Sequence, residues 1–477
     1  MADSIRSLSV KGMKWSAVEG FLSHGISFVV GLVIARILTP NDYGLIGMLS
    51  VFIVVSRTFV NSGFSTALIR MTDRTENDYS TAFCFNVTAG LLLYGILFLT
   101  APFVASFYDM PLLKDVLRVY ALVLVVSALE IVPRAKLTVA VDFKTQAIVG
   151  LVAALVSGGI GIGMAFTGYG VWALVWQAII SVAVSVVLLW KMTGWKPWEG
   201  RLSRLSFHRL FSFGSRLLGA WLLHIFYKNI SALFIGKYYT PADLGLYSRG
   251  QQIAELPNTH LMEIVRRVSY PVLARIQEDE EKLARVYRQY LSISSLVVFF
   301  LMILLAAVAE PLVLLLLTEK WLGAVPFLRI FCLALLFEHI CHINSNMLYV
   351  KGRSKLFLRL EIIKKVIVFP LLLLAIPYGV IAICFVPVAH ELVDLVLSTY
   401  CIRHLLGIRK ANPLKDYGIY LLYAAVSCLP AFLICNSTLS PWLSLPIAIL
   451  SAFGIYYLLL YRNDHMKEII RIVKKDL

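Results

Sequence analysis

The residues of this chain best placed to do chemistry are charges inside long apolar runs, because an ionisable side chain there is costly unless it faces protein or water. Arg57 stands in the middle of one such run, and Arg216, Lys228 and Arg249 occupy two others. Arg216 and Lys228 are twelve positions apart, about 120° around a helix. With His224 one turn before Lys228, the three share a broad face. Arg249, Gln252, Glu255, Thr259 and Glu263 recur at steps of three and four, a polar stripe of the kind that lines a cavity. Arginine offers a fixed fork of donors suited to phosphate oxygens. Arg57, Arg216, Lys228 and Arg249 are therefore the expected binding set for an anionic substrate, with Arg329 a weaker member. Glu19 and Glu255 are the expected carboxylates for a coupling proton or cation. The alternative assignments are structural: Glu255 neutralises Arg249, Arg216 caps an entrance, and Glu19 pairs with the basic N-terminus.

Other chemistries find less support. Lys364 and Lys365 lie at similar depth to Glu391 and Asp394 in adjacent runs, and these four are expected to neutralise one another. Glu338, His339 and His342 lack the H-E-x-x-H spacing of a zinc site and have no evident third ligand, so polar packing or histidine titration is expected there. Seven cysteines, odd in number and without C-x-x-C spacing, suggest neither a disulfide framework nor a metal site. No Walker A pattern occurs, so ATP is not an expected energy source, and no cofactor or metal is expected.

The elements that position these charges are transmembrane helices. The chain has 477 residues, 59% hydrophobic and only 15% charged, with a mean hydropathy of +0.80, far from a soluble globular composition. Turn signals such as TPND, TGYG, YTPAD and NSTLSP cut it into about fourteen apolar segments of spanning length. The segments are too long and too uniformly apolar for the alternating strands of a β-barrel. No cleavable signal peptide is expected, because the first apolar segment has full spanning length and no small-residue cleavage site. The formal charge of +16 is concentrated in one set of loops, which carry Arg134, Lys136, Lys144, Lys191, Lys196, Arg201, Arg204 and Arg209 among others. The opposite loops hold only Lys114, Lys237 and Lys320. That asymmetry is a topology signal that places both termini in the cytoplasm, not a nucleic-acid footprint. Trp195, Trp198 and Trp321, near segment ends, are expected in the interfacial belts.

An internal repeat organises the segments. Thr39-Pro40-Asn41-Asp42-Tyr43-Gly44-Leu45 returns 201 positions later as Thr240-Pro241-Ala242-Asp243-Leu244-Gly245-Leu246. In each copy Pro stops the preceding helix, Asp caps the next, and Gly permits close packing. Six segments separate the copies. The expected fold is an all-α polytopic membrane protein of two parallel six-helix bundles plus two C-terminal helices, with a substrate site near the midplane. The expected divisions are residues 1–192, a cytoplasmic linker 193–206, a second bundle 207–402, and two further helices with a tail over 403–477. A weaker echo pairs Glu130 with Glu338, each near the end of a fourth segment.

This arrangement, with a first helix ending A-R-I-L-T-P-N-D-Y-G, resembles the Wzx-like polysaccharide flippases of the multidrug/oligosaccharidyl-lipid/polysaccharide exporter superfamily. Gly63-Phe64, Ala67-Leu68-Ile69, Pro133, Phe143-Lys144 and Gly168-Tyr169-Gly170-Val171-Trp172-Ala173-Leu174 extend the similarity over essentially the whole chain. The resemblance implies a bacterial inner-membrane protein, not an enzyme, that flips an undecaprenyl-diphosphate-linked oligosaccharide to the periplasmic leaflet by alternating access. That activity serves O-antigen, capsule or exopolysaccharide synthesis. Its expected partners are the lipid-linked oligosaccharide, membrane lipids, a polysaccharide polymerase and a chain-length regulator; nucleic acid is not among them. Two alternatives remain. A multidrug cation antiporter of the same superfamily would need an acidic cavity, and a membrane polysaccharide polymerase would need a sizeable loop bearing catalytic groups.

Overall fold

A computed structural model of the chain describes residues 25–61, 63–405 and 413–461. Within its helices a few side chains, among them Arg216, His224, Arg266 and Arg267, lie outside the description. The described residues are helical, with no strand among them. The chain forms two compact units, Met1–Gly245 and Leu246–Leu477.

The first unit contains α1 (Gly25–Ile37), α2 (Pro40–Asn61), α3 (Phe64–Arg70), α4 (Glu76–Phe107), α5 (Leu112–Tyr120), α6 (Leu122–Ala128), α7 (Ile131–Val139), α8 (Phe143–Phe166), α9 (Val171–Thr193) and α10 (Arg204–Tyr238). α8 and α9 form a tight antiparallel pair, and α10 packs on α2, α3 and α4. The segment between α9 and α10 is strapped to the start of α4. The backbone N–H groups of Gly200, Arg201 and Ser203 donate to the side chains of Ser80 (3.2 Å), Asn77 (2.7 Å) and Thr81 (3.1 Å). Trp195 is buried there, its indole N–H donating to Glu76 Oε2 at 3.0 Å. It is thus a packing residue rather than a membrane-interface anchor.

The second unit takes in most of α11 (Pro241–Arg275), then α12 (Glu280–Ala307), α13 (Ala309–Leu316), α14 (Val325–Leu335), α15 (Glu338–Val350), α16 (Ser354–Ala375), α17 (Val380–Leu405), α18 (Pro413–Cys435) and α19 (Pro441–Tyr461). A short 3-10 helix, Glu319–Ala324, precedes α14. α18 packs on α12 and α19, and the stacked rings of Tyr456 and Phe300 (4.2 Å between centroids) fasten α19 to α12.

Ten helical stretches among the described residues are long and apolar enough to cross a membrane. α10, α11 and α16, of 35, 35 and 22 residues, are not among them although they are long enough. The reason lies in their side chains. α11 carries Arg249, Glu255 and Glu263, and α16 carries Glu361, Lys364 and Lys365, charges that interrupt their apolar runs.

The two copies of the repeated turn adopt the same structure. Thr39 and Thr240 are the N-caps of α2 and α11. Each Thr hydroxyl accepts from the backbone N–H of Asp42 (3.4 Å) or Asp243 (3.2 Å), and that Asp carboxylate accepts in return from the Thr backbone N–H at 3.0 or 3.1 Å. This is a capping box in which Thr is the cap and Asp its third-position partner. The turns also pack reciprocally. A Cβ on Gly44 would lie 1.6 Å from the Pro241 carbonyl oxygen, and one on Gly245 would lie 1.9 Å from that of Pro40. Only glycine permits that backbone approach.

Candidate functional site

The fourth apolar segment of each half is broken, and one break in each places a carboxylate beside the second helix of its own half. In the first unit the second of two breaks falls between α6 and α7 at Glu130. Glu130 accepts from Arg134, one turn on, at 3.2 Å, and forms an ion pair with Arg57 of α2 at 3.7 Å. In the second unit the break falls between α14 and α15 at Glu338. Glu338 meets His342, one turn on, at 3.3 Å, and accepts a hydrogen bond from Asn258 of α11. Asn258 stands 201 positions after Arg57, the same offset as the repeated turns. The Glu130–Glu338 echo is therefore a structural correspondence between two triads, Arg57–Glu130–Arg134 and Asn258–Glu338–His342.

Arg57 thus has a carboxylate partner, although 45% of its side chain is exposed. Arg57 and Lys228 lie on α2 and α10, which pack on each other in the first unit, and Lys228 is exposed. The Arg216 side chain and Glu19 lie outside the described residues.

Arg249 belongs to the second unit and is 7% exposed. Its Nη1 donates to Gln252 Oε1 at 2.8 Å, and its guanidinium lies over the ring of Trp321, 5.3 Å from the centroid. Glu255 accepts from Gln251 at 2.9 Å. Trp321 is fully buried, so the expected interfacial role does not hold. Its seat is built by the backbone. Thr318, at φ 101° and ψ 171°, takes a conformation that costs a β-branched residue roughly 1–3 kcal/mol. That turn starts the 3-10 helix bearing Trp321. Next to Arg249, a Cβ on Gly250 would lie 2.8 Å from Leu328 N and 3.0 Å from the Ala324 carbonyl oxygen. α11 can therefore lie against the start of α14.

Elsewhere in the second unit Lys364, 3% exposed, contacts both Asp394 (2.8 Å) and Glu361, and Lys365 lies 4.0 Å from Glu361. The expected mutual neutralisation holds for Lys364 and Asp394. Glu361 joins the group, and Glu391 is partnered by His390 at 3.3 Å. His339 is buried and bonds Ser295 at 2.9 Å rather than joining His342. Glu361 could have been found at steps of three and four before the two lysines. Trp321 is distant from Arg249 in sequence and gave no such signal.

The family model described as polysaccharide biosynthesis protein matches residues 33–326, well over half of the chain. The chain belongs to that family. Its relatives include the teichuronic acid biosynthesis protein TuaB of Bacillus subtilis (strain 168), 24% identical over 74% of this chain and 73% of that protein. The lipopolysaccharide biosynthesis protein WzxC of Escherichia coli (strain K12) is 24% identical over 77% and 75%. Among solved structures, the lipid II flippase MurJ in its inward closed conformation shares the fold, with a TM-score of 0.73 at 14% identity over 93% of this chain and 97% of that one.

Proposed function

We propose that this protein flips an undecaprenyl-diphosphate-linked polysaccharide repeat unit from the cytoplasmic to the periplasmic leaflet of the bacterial inner membrane. The observation that carries the reading is Arg249, a guanidinium buried over the ring of Trp321 in a largely apolar chain of the polysaccharide biosynthesis family. Arg57, Arg216, Lys228 and Arg249 compensate the diphosphate, and Glu19 and Glu255 serve the coupling ion. The chain crosses the bilayer fourteen times with both termini cytoplasmic. It is divided at residues 192, 206 and 402, and alternates its access between the two sides. The identical capping boxes of the two repeated turns support the internal two-fold repeat that such a mechanism needs. A polymerase and a chain-length regulator are its partners, and it performs no catalysis itself.

Flipping of a fluorescent undecaprenyl-diphosphate oligosaccharide in proteoliposomes tests the reading, with Arg57→Ala, Lys228→Ala and Arg249→Ala beside the wild type. The expected result is transport by the wild type and loss in variants that still insert normally. A wild type that leaves the lipid unmoved but expels cationic dyes overturns it.

A further inference from the structure

One arginine in each half lies beside an exposed aromatic ring, and the two are held alike. In the first unit Arg118 of α5 donates Nε–H to the Phe98 carbonyl oxygen of α4 at 3.4 Å, and its guanidinium lies 4.3 Å from the centroid of the Phe98 ring. In the second unit Arg329 of α14 donates Nε–H to the Ala306 carbonyl oxygen of α12 at 3.3 Å, and its guanidinium lies 5.5 Å from the centroid of the Phe432 ring of α18. α4 and α12 are the third apolar segments of their halves, and α5 and α14 each begin an α-helical part of the fourth. Phe98 is 38% exposed and Phe432 39%. Their surroundings are apolar: Leu99 and Phe103 stand exposed on α4, as do Leu429 and Leu433 on α18. Exposed faces of that composition on helices of spanning length meet lipid.

A second observation points to a ligand. Neither arginine gives a hydrogen bond from a terminal nitrogen to any of the described residues. Arg118 also forms no ion pair among them, although Asp115 stands one turn earlier on α5. Arg329 turns its Nη2 inward, buried without a hydrogen bond and 4.0 Å from Glu310 Oε2, while 35% of its side chain remains exposed. Unmet guanidinium donors are costly, and so is a cation facing hydrocarbon. A phosphate relieves both.

We propose that Arg118 and Arg329 each bind the phosphate of a membrane phospholipid. The carbonyl bond at Nε and the ring fix the plane of each guanidinium, so its terminal nitrogens meet phosphate oxygens in a set orientation. The acyl chains lie along the exposed apolar faces of α4 and α18. The second site has a further selectivity. Glu310, 45% exposed and with no other ion-pair partner among the described residues, stands beside Arg329 and pairs with the ammonium of the headgroup. An aminophospholipid therefore fits the Arg329–Glu310 pair better than an anionic lipid without an amine, whereas Arg118 takes either. The topology proposed above puts both sites in the periplasmic leaflet, and the sites depend on that reading for nothing else.

Native mass spectrometry of the full-length protein, delipidated in detergent and titrated with phosphatidylethanolamine or phosphatidylglycerol, counts the lipids held. The wild type should retain two phosphatidylethanolamines under activation that strips the rest. Arg118→Gln and Arg329→Gln should each retain one, with binding at the altered site at least tenfold weaker. Arg204→Gln, which removes an exposed cation at the start of α10, should retain two. Glu310→Gln should still hold the second lipid, but an at least fivefold preference there for phosphatidylethanolamine should fall to near parity. Phe432→Leu leaves both charges in place and should weaken the second site at least threefold, and unfolding temperatures show that each variant is folded. Arginine variants that hold as many lipids as the wild type overturn the proposal, as does an equal loss in Arg204→Gln. Displacement of both phospholipids by undecaprenyl diphosphate at a hundredth of their concentration also overturns it, because the sites would then belong to the transported lipid. The leaflet is read separately, by labelling Lys114→Cys in a chain whose native cysteines are serines with a membrane-impermeant maleimide. Reaction from the periplasmic face is expected; reaction from the cytoplasmic face alone removes the topology reading and leaves the lipid sites standing.

Discussion

Replacing Trp321 by leucine removes the aromatic face under Arg249 while keeping apolar bulk, and its effect can be worked from the geometry. The guanidinium lies 5.3 Å from the ring centroid and both residues are buried. A desolvated cation–ring contact is worth about 2 kcal/mol, against about 0.5–1 kcal/mol when exposed. At about 1.4 kcal/mol per decade, the whole contact, if it served only to hold the guanidinium ready for substrate, sets a ceiling of roughly a 30-fold rise in the lipid concentration for half-maximal flipping. The assay is a four-member cycle of wild type, Trp321→Leu, Arg249→Gln and the double variant in proteoliposomes, with unfolding temperatures recorded alongside. Trp321→Phe keeps a ring and should keep most of the affinity. In the Arg249→Gln background the leucine substitution should add little, because the ring acts through the guanidinium. An equal fold-change in both backgrounds would mean that Trp321 only fills space, and the reasoning would fail.

Lys364→Met should destabilise the protein by about 3–5 kcal/mol by leaving Asp394 buried and uncompensated, while Lys364→Met with Asp394→Leu should recover most of that; thermal unfolding in detergent reads both, and a double variant as unstable as the single one contradicts the ion-pair account. Gly44→Ala and Gly245→Ala each force a Cβ into a proline carbonyl and should cost about 1–3 kcal/mol or more; unfolding temperatures equal to wild type would rule out the close approach. Thr39→Ala and Thr240→Ala should each lose about 1 kcal/mol of cap stability in thermal unfolding, and because the two turns pack against each other the double variant should depart from the sum of the singles.

The sequence alone carried the all-helical membrane class, the internal repeat and the presence of charges inside the apolar segments. These properties are local. Apolar length is read along the chain, and the T-P-x-D-x-G-L turn carries its own cap and its own glycine. The pairing of Lys364 with Asp394 was also accessible, because depth in adjacent spans can be counted from their ends. Tertiary structure decided what those charges do. It gave Arg57 to Glu130, set Arg249 on Trp321, moved Trp195 and Trp321 from expected interfacial positions into the interior, and turned a faint echo between Glu130 and Glu338 into two matched triads. Composition and spacing could not foresee these outcomes. Each depends on which face of one helix meets a helix tens of residues away, and on backbone approaches that glycine allows and strain that the fold imposes at Thr318.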